Sequence, residues 1–255
     1  ATGADCGVIE CVPDTISLDA LHGRDPQYTT LLDFYQRFFG FGLGLGSGKG
    51  QNGVPSWGSY QGGGSQTASP SYECALDNFT VSLATYSMVC HVLAIKDRHN
   101  GNILLDRHGH LLHIDFGFML GNTPGGNIGF ETAPFKLTGE MVEVLLAGPD
   151  GVRVAGGVAP RFEQFKQVCV DVFMCLRAQS YRLLLLLEVL AYHAPGLPCF
   201  ADSPGVVIAA LKDRFCLDLN DHAVQAHILR LIDSAADHWT TNCYDRYQKC
   251  CQGVL

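Results

Sequence analysis

No long apolar run occurs in this sequence. Its longest purely aliphatic stretch, Leu183 to Leu187, is closed off by Arg182 and Glu188, far short of the roughly 20 apolar residues that span a bilayer. No transmembrane helix is expected. The opening residues lack a basic stretch followed by an apolar one, so no secretory leader is read there. With Ala1 as first residue, the chain is expected to be a piece of a longer protein.

Cysteine is not scarce, but the pairing that would give it a structural job is missing. The 11 cysteines are odd in number and irregularly spaced, with no Cys-x-x-Cys pair, which excludes a disulfide framework and the common zinc ribbons. Reduced thiols, and hence a cytoplasmic setting, are the expectation. His108, His110 and His113 have no matching cysteines, and strand residues at odd separation point to opposite faces, so no zinc site is read from them. Basic residues are also short: 17 Lys and Arg stand against 25 Asp and Glu, for a net charge of -8. That excludes the broad basic footprint of a nucleic-acid binder, so no nucleic-acid partner is expected. Any membrane contact must be local.

What is present is enough apolar material, 47% of 255 residues, for a substantial core in one or two domains. Between about residues 40 and 71 the composition collapses into Gly, Ser and Gln, as in a flexible insertion. Within it, Gly44–Gly50 imitates a phosphate loop, but that motif needs Gly at position 43 and Ser or Thr at position 50, where Leu43 and Gly50 stand. Helical spacing of apolar residues marks Tyr28–Phe39, Tyr72–Ile95, a short segment from Thr138, and then Phe162–Leu176, Ser180–Tyr192, Pro204–Phe215, Asp221–Ala235 and Asp237–Cys251. Gly7–Val12 is short, β-branched and closed by Pro13-Asp14, so it reads as a strand entering a turn. A Gly-rich patch at 148–157 reads as a loop.

The informative stretch is Lys96-Asp97-Arg98-His99-Asn100-Gly101-Asn102, followed by Ile103–Leu105, the turn formers Asp106–Gly109, Leu111–Ile114 and Asp115-Phe116-Gly117. Two apolar runs flanking a turn predict a hairpin that folds Asp115 back towards Asn102. A carboxylate and an amide oxygen at one point suit Mg2+, which takes few protein ligands and completes its shell with water and phosphates. Asp97 is left over to accept a proton. That division of labour is the one phosphoryl transfer uses.

The order Asp-Arg-His, inverted from the His-Arg-Asp of protein kinases, with Lys96 before it and Asn-Gly-Asn after it, resembles the type III phosphatidylinositol 4-kinases, most closely the beta type. Cys6–Glu10, Ala133–Thr138, Gly196–Phe200 and Tyr244–Gln248 extend the resemblance over most of the chain. It implies an α+β, protein-kinase-like fold over residues 1–255, comprising hinge and mainly helical C-lobe with a small β-hairpin at the active site and the N-lobe largely absent. It implies transfer of the ATP γ-phosphate to the 4-hydroxyl of phosphatidylinositol, with Mg2+ (or Mn2+) and ATP as cofactor and co-substrate. Asp97 would be the base, His99 an auxiliary unless it is a structural histidine, and Asn102 and Asp115 the metal ligands. Arg98 reads as structural.

By the same resemblance, backbone groups at Glu10, Cys11 and Val12 would pair with adenine, and Leu104 and Ile114 would form the floor beneath it; as residues alone these are ordinary core. Phe116–Thr138 would be the activation loop that recognises the lipid headgroup, with Phe118 and Lys136 as substrate contacts. Its only basic residue is Lys136, and its only acidic one is Glu131, which agrees with an inositol ring not yet phosphorylated. Lys136 is read either as a contact to the linking phosphate or as a solvated surface lysine. Trp239, Tyr244 and Tyr247 would sit at a membrane interface or pack on the helical core. A peripheral membrane location, on Golgi or trans-Golgi membranes, and small GTPase or adaptor partners are further implications of the resemblance.

Two rival readings remain: a phosphatidylinositol-3-kinase-related protein kinase, in which Gly generally stands where this chain has Lys96, and a catalytically silent interaction domain, against which the joint presence of Asp97, Asn102 and Asp115 counts. Because no Gly-rich cover loop or strand lysine precedes the hinge, residues 1–255 alone are expected to be nearly inactive.

Deleting Phe41–Ser69 from the complete protein should leave melting temperature and turnover nearly unchanged. Each doubling of a flexible loop costs only about 0.6 kcal/mol in closure entropy. A collapse of either measurement would mean that the segment packs or regulates.

Overall fold

The computed structural model describes residues 8–40, 70–124, 133–148, 159–200 and 203–236. At its centre runs α3 (Tyr72–Leu93), whose buried Leu76, Phe79, Thr80, Leu83, Ala84, Ser87 and Met88 recur at spacings of three and four. That spacing wraps an apolar stripe around more than one side of the helix, so α3 is covered by several neighbours. Ser71 caps its start by accepting the Cys74 N–H. Ala94, at φ 47, ends it in the left-handed region with its N–H on the Cys90 and His91 carbonyls. Around α3 lie α2 (Leu31–Phe39), α4 (Gly139–Leu145) and α5 (Pro160–Ala178), while α6 (Ser180–His193) packs on α5 and α7 (Pro204–Arg214), and α8 (Asp221–Ala235) packs on α5. Burying a side chain the size of Phe79 completely is worth about 1.5–3 kcal/mol.

A three-stranded antiparallel sheet, β1 (Thr15–Ser17), β2 (Ile103–Asp106) and β3 (Leu111–His113), lies against α3 in the order β1-β2-β3. Ile103, Leu105, Leu111 and His113 point inward, and Leu104, Leu112 and Ile114 face outward and are half-buried. In the hairpin turn Asp106 Oδ1 accepts the N–H groups of His108 and His110, both at 2.8 Å. Gly109 sits at φ +88 against α3, where an added Cβ would lie 2.7 Å from the Ala75 carbonyl oxygen. Only glycine meets both demands. The Tyr35 hydroxyl donates to the Gly109 carbonyl at 2.8 Å, and its ring meets Phe79 edge-on, so α2 also holds the turn.

The hairpin and the helices from Leu31 to Ala235 follow the periodicities of the sequence closely, with Asp221–Ala235 matching to the residue. Helix α2 begins at Leu31 rather than Tyr28, because Thr30 is its N-cap and the Tyr28 hydroxyl is used on Glu140 at 2.7 Å. The strand expected over 7–12 is absent from its described part: Val8–Val12 is exposed and irregular, and the strand forms after Pro13-Asp14 instead. A strand needs a partner, and the edge of β2 offers one only opposite Thr15–Ser17. β1 and the helix that follows, α1 (Leu18–Arg24), were not legible in the sequence. The helix expected over Asp237–Cys251, with Trp239, Tyr244 and Tyr247, lies outside the described residues, as do the insertion at 41–69 and the Gly-rich patch beyond Gly148.

Between α5 and α8, His91 of α3 is packed 6.4 Å from the rings of both Phe173 and His227. Its Nε2 is buried without a hydrogen-bond partner among the described residues. Burial first, then the charges of Arg214, His227 and Lys96, push its pKa down to about 4. The unfolded chain therefore binds this proton from about pH 6.5 downward while the folded chain refuses it until about pH 4, so stability falls as pH drops through that window. Replacing His91 with Leu should flatten the acid side of the stability profile by on the order of 2–3 kcal/mol near pH 4. Urea unfolding of both proteins between pH 4 and 7 measures it, and parallel profiles would refute the assignment.

Candidate active site

The loop that leaves α3 is set by backbone geometry before any side chain acts. After the left-handed Ala94, the Ile95 N–H returns to the Cys90 carbonyl at 2.9 Å, and the chain runs without helix or strand into Asp97. Asp97 has φ 63, and Asp115, on the far side of the hairpin, has φ 56. Two non-glycine residues in this region cost about 1–3 kcal/mol each and persist only where their surroundings hold them.

Arg98 holds both. Its side chain is buried, with Nε donating to the Lys96 carbonyl at 2.9 Å, Nη1 to the Ile114 carbonyl at 2.7 Å, and Nη2 to the Asp115 carbonyl in a short contact. Its guanidinium also lies 5.5 Å from the centre of the Phe116 ring. One planar fork thus ties the loop before Asp97 to the strand end that carries Asp115. The Ile114 N–H, donating to the Asn102 carbonyl at 3.1 Å, adds a second tie. Arg98 is structural as expected, and these bonds run to carbonyl oxygens where a loop carboxylate was the expected partner.

Asn102 is buried in the 3-10 turn Asn100–Asn102. Its Nδ2 donates to the Asp97 carbonyl at 3.0 Å and to Asp97 Oδ2 at 3.4 Å. With the amide nitrogen spent on Asp97, Oδ1 is the atom left to a ligand. His99 caps the same turn: its Nδ1 accepts the Gly101 N–H at 3.1 Å, which places the proton of the neutral ring on Nε2, 3.9 Å from Asp97 Oδ1. Asp115 is exposed, with Oδ1 accepting the Gly117 N–H at 3.3 Å. Behind it, His113 stacks on Tyr86 at 4.4 Å and meets Cys90 Sγ at 3.5 Å. Burial, then Arg98 and Lys136, push the His113 pKa down to about 3, so a neutral ring backs the strand.

The segment after Asp115 is fastened to the same loop by two lysines. The Lys96 N–H donates to the Phe118 carbonyl at 2.8 Å, and Lys96 Nζ to the Ala133 carbonyl at 3.4 Å. Lys136 is buried, with Nζ on Asn100 Oδ1 at 2.9 Å. The alternative of a solvated surface lysine is therefore wrong: the turn of Asn100 reaches over its ammonium. Residues 125–132 lie outside the described residues; the described parts, 116–124 and 133–138, form no helix or strand, and only Leu137 makes an isolated bridge, to Ala236.

Of the residues singled out in the sequence, Asp97, His99, Asn102 and the Asp115 backbone join one network, to which Phe118 is tied through its carbonyl and Lys136 through Asn100. Leu104 and Ile114 are half-buried on the outer face of the hairpin, so the reading of them as simple core is corrected: the alternation of strand residues turns them away from α3. Glu10, Cys11 and Val12 are exposed and make none of these contacts; the Val12 carbonyl accepts the Thr15 hydroxyl at 3.0 Å. Sequence reasoning missed Asn100 and Lys96 as anchors. Nothing in their spacing could have revealed the side-chain partners 36 and 37 residues away.

The donor set is of hard oxygens: the Asp115 carboxylate, Asn102 Oδ1 and, beside them, Asp97. No group of three or more His, Cys, Asp or Glu able to hold a metal occurs among the described residues. The set fits a cation such as Mg2+, which needs only one or two protein ligands and draws the rest from water and phosphate, and it does not fit zinc.

The family model described as phosphatidylinositol 3- and 4-kinase matches residues 58–201. Phosphatidylinositol 4-kinase beta 1 of Arabidopsis thaliana is 39% identical over 254 residues, covering 100% of this chain and 20% of that protein. A phosphatidylinositol 4-kinase of Dictyostelium discoideum is 38% identical over 99% of the chain and 18% of its own length. Phosphatidylinositol 4-kinase stt4 of Schizosaccharomyces pombe is 35% identical over 100% of the chain and 11% of its own length. The chain thus spans a fifth or less of the length of these relatives. Of these three names one carries the word beta, and the likeness does not single out the beta type. With the matched segment covering more than half of the sequence and the whole of the Asp97–Asp115 network, the chain belongs to the phosphatidylinositol 3- and 4-kinase family.

Proposed function

We propose that this chain is the hinge and C-lobe of a lipid kinase, closest to the beta type, that transfers the γ-phosphate of ATP to the 4-hydroxyl of phosphatidylinositol. The observation that carries the reading is the Asp97–Asn102 pair, at 3.4 Å, in a loop braced by Arg98 against the strand of Asp115. The phosphatidylinositol 4-kinase names of the relatives support the choice of lipid and of hydroxyl.

Asp97 acts as the base. Its carboxylate takes the proton of the inositol 4-hydroxyl as that oxygen forms its bond to the γ-phosphorus and the bond from phosphorus to the β,γ-bridging oxygen breaks. The Asn102 amide, donating to Asp97 Oδ2, keeps the carboxylate turned toward the substrate. His99 Nε2, 3.9 Å from Asp97 Oδ1, supplies a second donor for the charge that builds on the transferring group. Mg2+, or Mn2+, held by Asn102 Oδ1 and Asp115, would offset the charge of the phosphate oxygens. Backbone groups at Glu10, Cys11 and Val12 bind the adenine edge, and the outward Leu104 and Ile114 lie under its ring. Phe118 and Lys136 contact the lipid, Lys136 at the linking phosphate.

No described helix is long and apolar enough to cross a membrane. On the lipid-kinase reading the protein meets its lipid from the cytoplasmic side as a peripheral protein; Golgi membranes and small GTPase or adaptor partners belong to the same proposal.

In the complete protein, Asp97→Asn should lower turnover by about 10²–10⁴-fold and leave metal–nucleotide affinity largely intact. Asp115→Asn should weaken that affinity as well. Magnesium titrations of ATP binding decide it, and equal loss in both variants would overturn the division of roles.

Substrate choice gives a second test. Lys136 is the only basic residue between Phe116 and Thr138, so phosphatidylinositol should be strongly preferred over its mono- and bisphosphorylated forms, whose extra charge calls for Lys or Arg clusters. Initial rates on the three lipids at matched surface concentration measure the preference. Equal rates on the bisphosphate, or transfer to a peptide, would contradict the reading.

A further inference from the structure

Helix α6 carries apolar residues on two sides, and among the described residues only one of them faces protein. Leu187 and Ala191 are buried, toward the neighbours α5 and α7. On the outer side Leu186 is 66% exposed, and Leu185, Val189 and Leu190 are exposed as well, with Tyr181 and Tyr192 at the two ends 75% and 83% exposed. Six large apolar or aromatic side chains in contact with water on one 14-residue helix are too many for an ordinary solvent face.

Charge is distributed along this helix in a particular way. At 100° per residue, Arg182 lies about 20° from Val189, on the midline of the outer strip. Glu188, the only acidic residue of the helix, is displaced by about 100°, to the margin. An apolar strip with tyrosines at both ends and a cation on its midline matches a lipid interface, where aromatic rings sit at headgroup level and a basic side chain meets anionic phosphate. The strip also leads to the site. Leu197 continues it, exposed, and the Gly121 N–H donates to the Cys199 carbonyl at 3.2 Å, joining the end of the α6 segment to the stretch that follows Asp115-Phe116-Gly117.

We propose that the outer face of α6 is a membrane-contact surface that seats on an anionic bilayer and holds the segment after Asp115 against it. The inference rests on the lipid-kinase reading above for its orientation, and on the exposed residues of α6 for its location. Leu185, Leu186 and Val189 enter the acyl boundary, the tyrosines stop at the headgroups, and Arg182 pairs with anionic lipid.

The test uses the complete protein with Leu186→Glu and Val189→Glu combined, both exposed positions that the fold should tolerate, checked by an unchanged melting temperature. Cosedimentation with phosphatidylcholine vesicles containing phosphatidylserine should weaken by at least about tenfold. Turnover of a short-chain, monomerically dissolved phosphatidylinositol should stay as in the parent. Arg182→Glu should reduce binding to the phosphatidylserine vesicles more than to phosphatidylcholine alone, and added salt should shrink that difference. Unchanged vesicle binding in the double variant would overturn the proposal. So would a parent dimer, seen by sedimentation equilibrium, that the double variant turns into monomers, because a second copy would then cover α6. Vesicle binding lost in the variant, with no phosphatidylinositol turnover in the parent, would refute the kinase reading and leave the membrane surface standing.

Discussion

The fork of Arg98 on three carbonyl oxygens is the constraint on which the site depends. Those oxygens belong to Lys96, Ile114 and Asp115, so one buried cation reaches two stretches of chain separated by the whole hairpin. Each stretch contains an aspartate in the left-handed region. A hydrogen bond from a charged donor is worth about 1.5–3 kcal/mol, enough for the set to offset the backbone strain at both aspartates. A lysine, with its single nitrogen, could not serve three carbonyls in this geometry.

Everything else in the lobe keeps that fork aligned. Helix α3 delivers the loop from a buried support, and its surface at Ala75 is pressed so closely by the hairpin turn that Gly109 must be glycine. Tyr35 holds the same turn from α2. The hairpin is thus clamped at its tip and at its base, and the strand end carrying Asp115 has little freedom to drift from Asn102. Preorganisation of this kind is where phosphoryl-transfer sites draw most of their rate.

The two lysines extend the clamp to the segment after Asp115. Lys96 and Lys136 end on oxygens of Ala133 and Asn100, so the far end of that segment is stitched to the loop of Asp97 and His99. Lys136, read from the sequence either as a headgroup contact or as a surface lysine, is thus a buried brace. The Gly121 N–H in the same segment bonds to the Cys199 carbonyl, which links the candidate site to the end of α6 and the surface that would face lipid.

The sequence by itself determined the described helices from Leu31 to Ala235, the hairpin and the stretch that holds the candidate site, because these rest on local signals: apolar spacing, turn formers at Asp106–Gly109, and Asp-Arg-His-Asn-Gly-Asn in one short stretch. It did not determine where the first strand lies. Gly7–Val12 and the shorter Thr15–Ser17 both have β-branched composition, yet only Thr15–Ser17 pairs with β2, opposite Leu104–Asp106. Nor could it say that Lys136 is buried on Asn100, that Arg98 bonds to carbonyls on both sides of the hairpin, or that Leu104 and Ile114 turn outward while Ile103 and Leu105 turn in. Those facts depend on residues far apart in the chain arriving together. That is a property of the packed fold, and only the tertiary structure decided it.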